Sequence, residues 1–148
     1  MDELVISDFT AEDAAELYKI ECTCFTDNWS MSQFEGIKDC DYAHFFTARK
    51  SGGTVGFAGV YCLDVCELMN IAVLPEYRQN GIAQKLLERC FECARENECD
   101  SMLLEVRKSN LPAISLYEKN GFIKIGTRKK YYSAPVEDAD IMQKEICK

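Results

Sequence analysis

The stretch Asn70-Ile71-Ala72-Val73-Leu74-Pro75-Glu76-Tyr77-Arg78-Gln79-Asn80-Gly81-Ile82-Ala83 runs through one complete strand-to-helix transition. Leu68 to Val73 form a β-rich run that Pro75 stops. From Gly81 the period changes: Ala83, Leu86, Leu87, Cys90, Phe91 and Ala94 recur at helical spacing, with charges between them. A helix that begins with small residues presents free N–H groups and the positive end of its dipole, which together make an anion site. Gly81 and Ala83 allow the backbone to approach a bulky diphosphate. No Lys-Ser/Thr follows the glycine and no G-x-G-x-x-G occurs, so the turn is neither a P-loop nor a dinucleotide fingerprint. By itself R-x-x-G-x-A also describes a plain strand-to-helix turn.

Outward from this turn the elements alternate. Upstream, Leu4 to Ser7 read as a strand, and Thr10 with Asp13 caps a helix through Leu17 and Ile20. Ser30-Met31-Ser32-Gln33 is a capping box that starts a second, short helix near Trp29. Ala43 to Ala48 and Thr54 to Leu63 read as strands around the Ser51-Gly52-Gly53 turn. Downstream, Met102 to Val106 form a strand, and Pro112 opens a helix carrying Ile114, Leu116 and Tyr117 that ends at Asn120-Gly121. Two strands close the chain, around Phe122 to Arg128 and Ala139 to Ile146. The order β-α-α-β-β-β-α-β-α-β-β predicts a mixed α/β sheet with helices packed on it. No repeat or Pro/Gly/Ser linker divides the chain, which reads as a single domain over residues 1–148.

Composition narrows the function classes. The 148 residues are 47% hydrophobic, enough for one core, and no apolar run approaches the roughly 18 residues of a membrane span. The N-terminal MDELVISDFT has neither the basic nor the apolar region of a secretory signal, so a cytoplasmic protein is expected. With 17 basic and 25 acidic residues the net charge is −8, and no basic stripe interrupts it. That argues against direct nucleic-acid binding and suits a cationic acceptor such as an ammonium group or a basic peptide. The nine cysteines (Cys22, Cys24, Cys40, Cys62, Cys66, Cys90, Cys93, Cys99 and Cys147) are odd in number, and several sit in apolar runs. Reduced thiols used as small hydrophobes explain them better than a disulfide framework. Cys90 and Cys93 make a C-x-x-C inside a helical pattern without a second pair at zinc-finger spacing, so no metal is expected.

The chemistry is carried by a second stretch. Leu103-Leu104-Glu105-Val106-Arg107 sets one carboxylate in an otherwise apolar strand, and Ser109-Asn110 follow at its C-terminal end, where ligands of α/β sheets sit. Burying that carboxylate is unfavourable without a task or a partner; an ion pair with Arg107 or another basic residue is the alternative to a functional role. Leu116-Tyr117-Glu118-Lys119-Asn120-Gly121-Phe122 then brings a phenol toward the same mouth, although a core aromatic is the commoner fate of such a tyrosine.

These motifs resemble those of the GNAT N-acetyltransferase superfamily. R-x-x-G-x-A is similar to its pyrophosphate turn, and L-E-V-R-x-S-N-x-x-A-x-x-L-Y-E-K-x-G-F to its second half. The resemblance narrows to the RimI-type ribosomal-protein alanine N-acetyltransferases through Glu21-Cys22-Thr23-Cys24-Phe25-Thr26-Asp27-Asn28-Trp29-Ser30, Arg128-Lys129-Lys130-Tyr131-Tyr132 and Glu137-Asp138-Ala139-Asp140-Ile141-Met142. It covers nearly the whole chain, in order. Asn28 stands where the family has proline, and the segment between Tyr132 and Glu137 is short and lacks glycine; both lie where the family holds its acceptor.

The resemblance implies a mostly antiparallel sheet of about seven strands with about four helices, and acetyl-CoA as co-substrate. It implies Glu105 as general base and Tyr117 as general acid, with direct attack in a ternary complex and no acyl-cysteine. Backbone groups of Ile71, Ala72 and Val73 and of Gln79, Asn80, Gly81, Ile82, Ala83 and Gln84 are expected on pantetheine and pyrophosphate, together with Arg78 and the Asn110 side chain. Phe25, Trp29, Tyr131 and Tyr132 become candidate walls of the acceptor slot, with hydrophobic packing the other reading of Phe25 and Trp29. The implied acceptor is a protein N-terminus, the N-terminal alanine of a small-subunit ribosomal protein. A lysine or a small free amine is the first alternative, and a non-catalytic acyl-CoA sensor the second.

Overall fold

In the computed structural model residues 3–146 are described. Met1 and Asp2, read above as part of the N-terminal segment, and Cys147, read as a free thiol, lie outside the described residues. The other eight cysteines carry no disulfide.

The strands are β1 (Val5–Asp8), β2 (Ala43–Lys50), β3 (Gly53–Cys62), β4 (Cys66–Val73), β5 (Ser101–Arg107), β6 (Ile123–Ser133) and β7 (Val136–Glu145). The helices are α1 (Ala14–Cys24), α2 (Met31–Glu35), α3 (Ile82–Glu96) and α4 (Leu111–Lys119). The element order and type follow the sequence pattern, including both predicted caps. Asp13 Oδ2 accepts from the Thr10 N–H at 2.8 Å, although a 3-10 turn, Ala11–Asp13, precedes α1 proper. Ser30 Oγ accepts from the Gln33 N–H at 3.2 Å, and Gln33 Oε1 accepts from the Ser30 N–H at 2.8 Å. Among the described residues no helix is long and apolar enough to cross a membrane.

All seven strands form one sheet in the order β1-β2-β3-β4-β5-β7-β6. Every neighbouring pair is antiparallel except β4 and β5, which are parallel and joined through the crossover helix α3. That parallel junction holds only Cys66 opposite Met102 and Glu67 opposite Leu103. Beyond these two pairs, no further pairing joins the strands among the described residues, so β4 from Leu68 to Val73 leaves its β5 side open.

Helices cover both faces. On one face Leu86, Leu87, Cys90, Phe91 and Ala94 of α3 pack with Val60, Leu68, Met102, Leu104 and Tyr117. On the other, Leu17 and Ile20 of α1 and Phe34 of α2 pack with Phe45, Phe57 and Ala72. Adjacent residues on β2 divide between the layers, Phe45 to one and Phe46 to the other, as the period-2 pleat requires. β3, covered on both faces, is buried from Thr54 to Val60. β6 is the outer edge and is exposed along most of its length, Ile123 and Ile125 included.

The aromatic layer leaves no spare volume at Gly59. A Cβ there would lie 2.2–2.3 Å from three ring atoms of Phe45. That ring is itself packed against Trp29, at 5.6 Å between centroids, and Phe57, at 6.4 Å. Gly59→Ala is therefore expected to destabilise the protein by about 1–3 kcal/mol, the usual effect of overpacking. Urea unfolding should report this as a lowered midpoint; an unchanged midpoint would mean that Phe45 can swing aside.

Candidate active site

The open side of β4 leads directly into the turn at residues 74–81. Asn80 Nδ2 donates to the Tyr77 carbonyl at 3.1 Å and to the Arg78 carbonyl at 3.3 Å, tying the turn to itself. Gln79 (φ 64°) and Gly81 (φ 77°) both adopt the left-handed conformation, which turns the backbone sharply into α3. Gly81 caps α3 without a side-chain hydrogen bond, and the first turn of the helix holds no acidic residue. The N–H groups of Ile82, Ala83 and Gln84 therefore lack intrahelical acceptors and face the positive end of the helix dipole. A Cβ on Gly81 would meet nothing within 4 Å, so the chain is not crowded at the entry to the helix. The arrangement suits an anionic phosphate.

Three side chains expected around the cofactor have structural bonds of their own. Arg78 Nε donates to the Val73 carbonyl at 2.9 Å, fixing the end of β4. Gln84 and Asn120 exchange two amide hydrogen bonds, each 2.8 Å, locking α3 to the end of α4. Asn110 caps α4, its side-chain oxygen accepting from the Ala113 N–H at 3.3 Å. Ile71, Ala72 and Val73 lie on the part of β4 that β5 does not pair, with β3 on their other side.

Glu105 is the half-buried residue of β5 opposite Ile141 of β7. Its ion-pair partner is not Arg107 but another basic residue, Arg128 of β6. The Arg128 guanidinium lies against Glu105 Oε2 without the geometry of a hydrogen bond, and is itself 58% exposed. Tyr131 and Tyr132 reach the same place because β6 bulges: Arg128 opposes Ala139 and Tyr132 opposes Glu137, four residue steps against two. Lys130, at φ 52°, carries the bulge, and its N–H donates to Asp138 Oδ1 at 2.9 Å.

The two tyrosine rings meet edge-on, 5.0 Å between centroids. Partial burial and then the neighbouring Glu105 carboxylate push the Tyr131 phenol above its ordinary range. Burial, followed by Tyr131 and Glu105, lifts Tyr132 to about 12. Tyr117 is a core aromatic, edge-on to Phe122 at 5.6 Å. Its phenol is held up chiefly by burial and next by Tyr132.

Arg107 ties this mouth together. It pairs with Asp27 at 2.5 Å and Glu137 at 3.2 Å, donates to the Pro135 carbonyl at 2.9 Å, and lies 4.3 Å over the Tyr132 ring. Asp27 Oδ1 also accepts from Ser133 Oγ at 2.9 Å, and Glu137 Oε2 from the Ser109 N–H at 2.8 Å. The loop after α1, the end of β5 and the β6–β7 turn thereby share one network.

A second anchor lies beneath that loop. Glu21 is buried, with Oε2 accepting from the Trp29 N–H at 2.9 Å and Oε1 from Asn70 Nδ2 at 3.2 Å. Burial raises its carboxyl above the ordinary range, against those two donors. Sequence reasoning gave Glu21 no role; the signal was its place one turn after Leu17, on the buried face of α1. Trp29 packs with Phe34 at 5.2 Å as well as Phe45, and Phe25 joins the same layer, so both form the floor of the loop. No local pattern could have revealed Asp27 or Arg107, whose partners are 80 or more positions apart for the Asp27 pair and 30 apart for Arg107 and Glu137.

Comparison with known proteins agrees with this geometry. Residues 14–122 match the Acetyltransferase (GNAT) family. A Bacillus subtilis (strain 168) protein, provisionally named a ribosomal protein bS18-alanine N-acetyltransferase, is 37% identical over 88% of each chain. The ribosomal protein bS18-alanine N-acetyltransferase of Escherichia coli (strain K12) is 34% identical over 93% of this chain and 94% of its own. The crystal structure of the ribosomal-protein-S18-alanine N-acetyltransferase from Escherichia coli superposes with a TM-score of 0.90 at 32% identity, covering 99% of this chain and 96% of that one.

The Arg107 network sets a pH response. Hydrogen bonds from Ser133 first, and Arg107 among the weaker causes, hold Asp27 below its ordinary 3.8. Those from Ser109 first, then Arg107, hold Glu137 below 4.5. Depressed folded values mean that the stabilisation is present above the unfolded values and is lost as pH falls through the folded ones. Carboxyl 13C NMR titration should find Asp27 titrating below 3.8 and Glu137 below 4.5, both moving up in Arg107→Gln. Ordinary values in the parent protein would mean that the network does not persist in solution.

Proposed function

The chain belongs to the acetyltransferase (GNAT) family of acetyl-CoA-dependent N-acetyltransferases, and from that premise we propose that it acetylates protein N-termini. Its proposed acceptor is the N-terminal alanine of a ribosomal protein, with Glu105 as general base and Tyr117 as general acid. One observation supports the reading: Glu105 lies on β5 just past the point where β4 and β5 part, with Tyr131 and Tyr132 beside its carboxylate. The acceptor class follows the relatives from Bacillus subtilis and Escherichia coli, both named for the alanine of bS18.

The residues present fit acetyl-CoA. The N–H groups of Ile82, Ala83 and Gln84, with the left-handed Gln79 and Gly81 shaping the approach, would hold the diphosphate. Main-chain groups of Ile71, Ala72 and Val73 would hold the pantetheine arm along the free side of β4. When bound, acetyl-CoA supplies an activated acetyl group and a thiolate leaving group.

The remaining work belongs to side chains of this protein. An incoming ammonium must lose a proton before it can attack. Glu105 takes that proton at a carboxylate oxygen, directly or through water. Arg128, on the exposed edge, swings from Glu105 to make room for the cationic acceptor. Tyr117 stays protonated because burial raises its phenol, and delivers a proton from Oη toward the departing sulfur. Tyr131 and Tyr132 wall the peptide side, braced by Arg107. An α-amine has a pKa near ~8, so roughly a tenth is already free at neutral pH, whereas lysine at ~10.4 is almost wholly protonated. One modest base is enough for the former. The net charge of −8 favours approach of a basic peptide.

The test pairs an alanine-starting basic peptide with an N-terminally blocked copy carrying an internal lysine. With acetyl-CoA, mass spectrometry should locate the acetyl group on the free N-terminus alone. Glu105→Gln should lower the rate by about 10²–10⁴-fold, the range for loss of a general base. Acetylation of the blocked copy at lysine would move the assignment to side-chain amines, and full activity in Glu105→Gln would remove the base.

A further inference from the structure

His44 on β2, Cys62 at the end of β3 and Cys93 in the last turn of α3 place their donor atoms within 4.8 Å of one another. Cys62, Cys66 and Cys99 form a second triad within the same limit. Cys62 belongs to both. Five soft or borderline donors thus converge where the β3–β4 hairpin meets the end of α3, roughly 16 Å along the helix from its N-terminal anion turn. Cys62 and Cys66 oppose each other in the register, with their sulfurs 3.7 Å apart. A disulfide needs about 2.05 Å. Two thiolates sharing a tetrahedral ion at a metal–sulfur distance of about 2.3 Å lie about 3.8 Å apart. The observed separation is that of a thiol hydrogen bond, and it also suits the second arrangement without movement of either strand.

Packing as small hydrophobes accounts for part of the cluster, since Cys66, Cys93 and Cys99 are buried in the main core. It does not account for the half-buried imidazole of His44 beside half-buried Cys62. Both His44 and Cys93 also line an open depression of about 450 Å³, which gives solvent a path to the donors. Cys90, the partner of Cys93 in the C-x-x-C pair, belongs to neither triad.

We infer that this cluster binds a thiophilic d10 cation, Zn2+ or Cu+, through Cys62, with the other seats filled from His44, Cys66, Cys93 and Cys99. Thiolate with imidazole is the donor chemistry that selects these ions over hard cations. Two of these thiols are held protonated in the free protein: hydrogen bonding with Cys66 first pushes Cys62 up to about 12, and Cys93 rises through its bond to Cys62 and burial. Each thiol that binds therefore releases one proton to solvent, with no redox change. The ion would clamp β2, β3 and β4 to the end of α3, a role separate from acetyl transfer and independent of it.

The experiment uses the full chain, reduced and stripped of metal by chelation. Titration with Co2+ as a spectroscopic stand-in should give a one-to-one thiolate-to-cobalt charge-transfer band with tetrahedral d–d absorption, displaced by one equivalent of Zn2+. Competition against a colorimetric Cu+ chelator tests the other ion. Retention of either ion, weakened at least tenfold in Cys62→Ser and unchanged in Cys22→Ser, supports the site; the Cys22 thiol is exposed and belongs to neither triad. A measurement without variants guards against misfolding: bound metal should slow alkylation of Cys62 in the parent protein and leave Cys22 unaffected. Failure to retain either ion, equal retention in Cys62→Ser, or equal alkylation of Cys62 with and without metal would overturn the inference.

Discussion

Two residue pairs hold the seven-stranded sheet together at its centre. Cys66 with Met102 and Glu67 with Leu103 are the whole of the parallel contact between β4 and β5. Hydrogen bonding across so short a junction cannot keep the two halves of the sheet in register, so other forces must. Helix α3 spans the junction on one face, where Leu86, Leu87 and Cys90 are fully buried against strands from both halves. Each such side chain contributes about 1.5–3 kcal/mol by leaving water. The opening exists because packing above the sheet replaces pairing within it, and the pantetheine slot proposed here is that opening.

The acceptor side is organised by charge instead. Glu21 and Arg107 hold the loop after α1 from below and from the side, one through the Trp29 N–H and Asn70, the other through Asp27. Neither is a simple surface pair. Arg107 is 19% exposed and meets two carboxylates, main-chain carbonyls and an aromatic face, a geometry that the planar guanidinium supports and a lysine could not. Glu21 accepts donors at both oxygens, which is how a buried carboxylate becomes tolerable. The loop that lacks the proline of related chains is thus held by polar contacts, and Asn28 adds one from its side chain to the Trp29 carbonyl at 3.0 Å.

Much of this was legible in the sequence where local physics decides. Helix α3 declared itself through its period, and the Thr10–Asp13 and Ser30–Gln33 caps formed as their spacing required. Glu105 stood out as a charge among apolar neighbours. What escaped detection depends on distant partners. The strands β6 and β7 run on to Ser133 and Val136, past the expected limits, because the turn between them is held by Asp27 and Arg107 from elsewhere in the chain. Arg128, which pairs with Glu105, reaches it only through the order β5-β7-β6, in which the last strand inserts between β5 and β6, a placement with no local signature. The thiol cluster was hidden for the same reason: Cys62 and Cys93 share no motif, only a place where a hairpin meets a helix.

The bulged edge also bears on how copies of this protein meet one another. β6 leaves one side of its backbone unpaired and exposes Ile123 and Ile125, which is the template that recruits a foreign strand into a growing aggregate. Its register slips twice against β7, once between Lys124 and Gly126 and again between Arg128 and Tyr132. A straight incoming strand could match only the short run between those slips before its hydrogen bonds fell out of phase. Lys129 and Lys130 add charge at the second slip. The distortion that carries Tyr131 to Glu105 therefore also makes this open edge a poor template for a foreign strand.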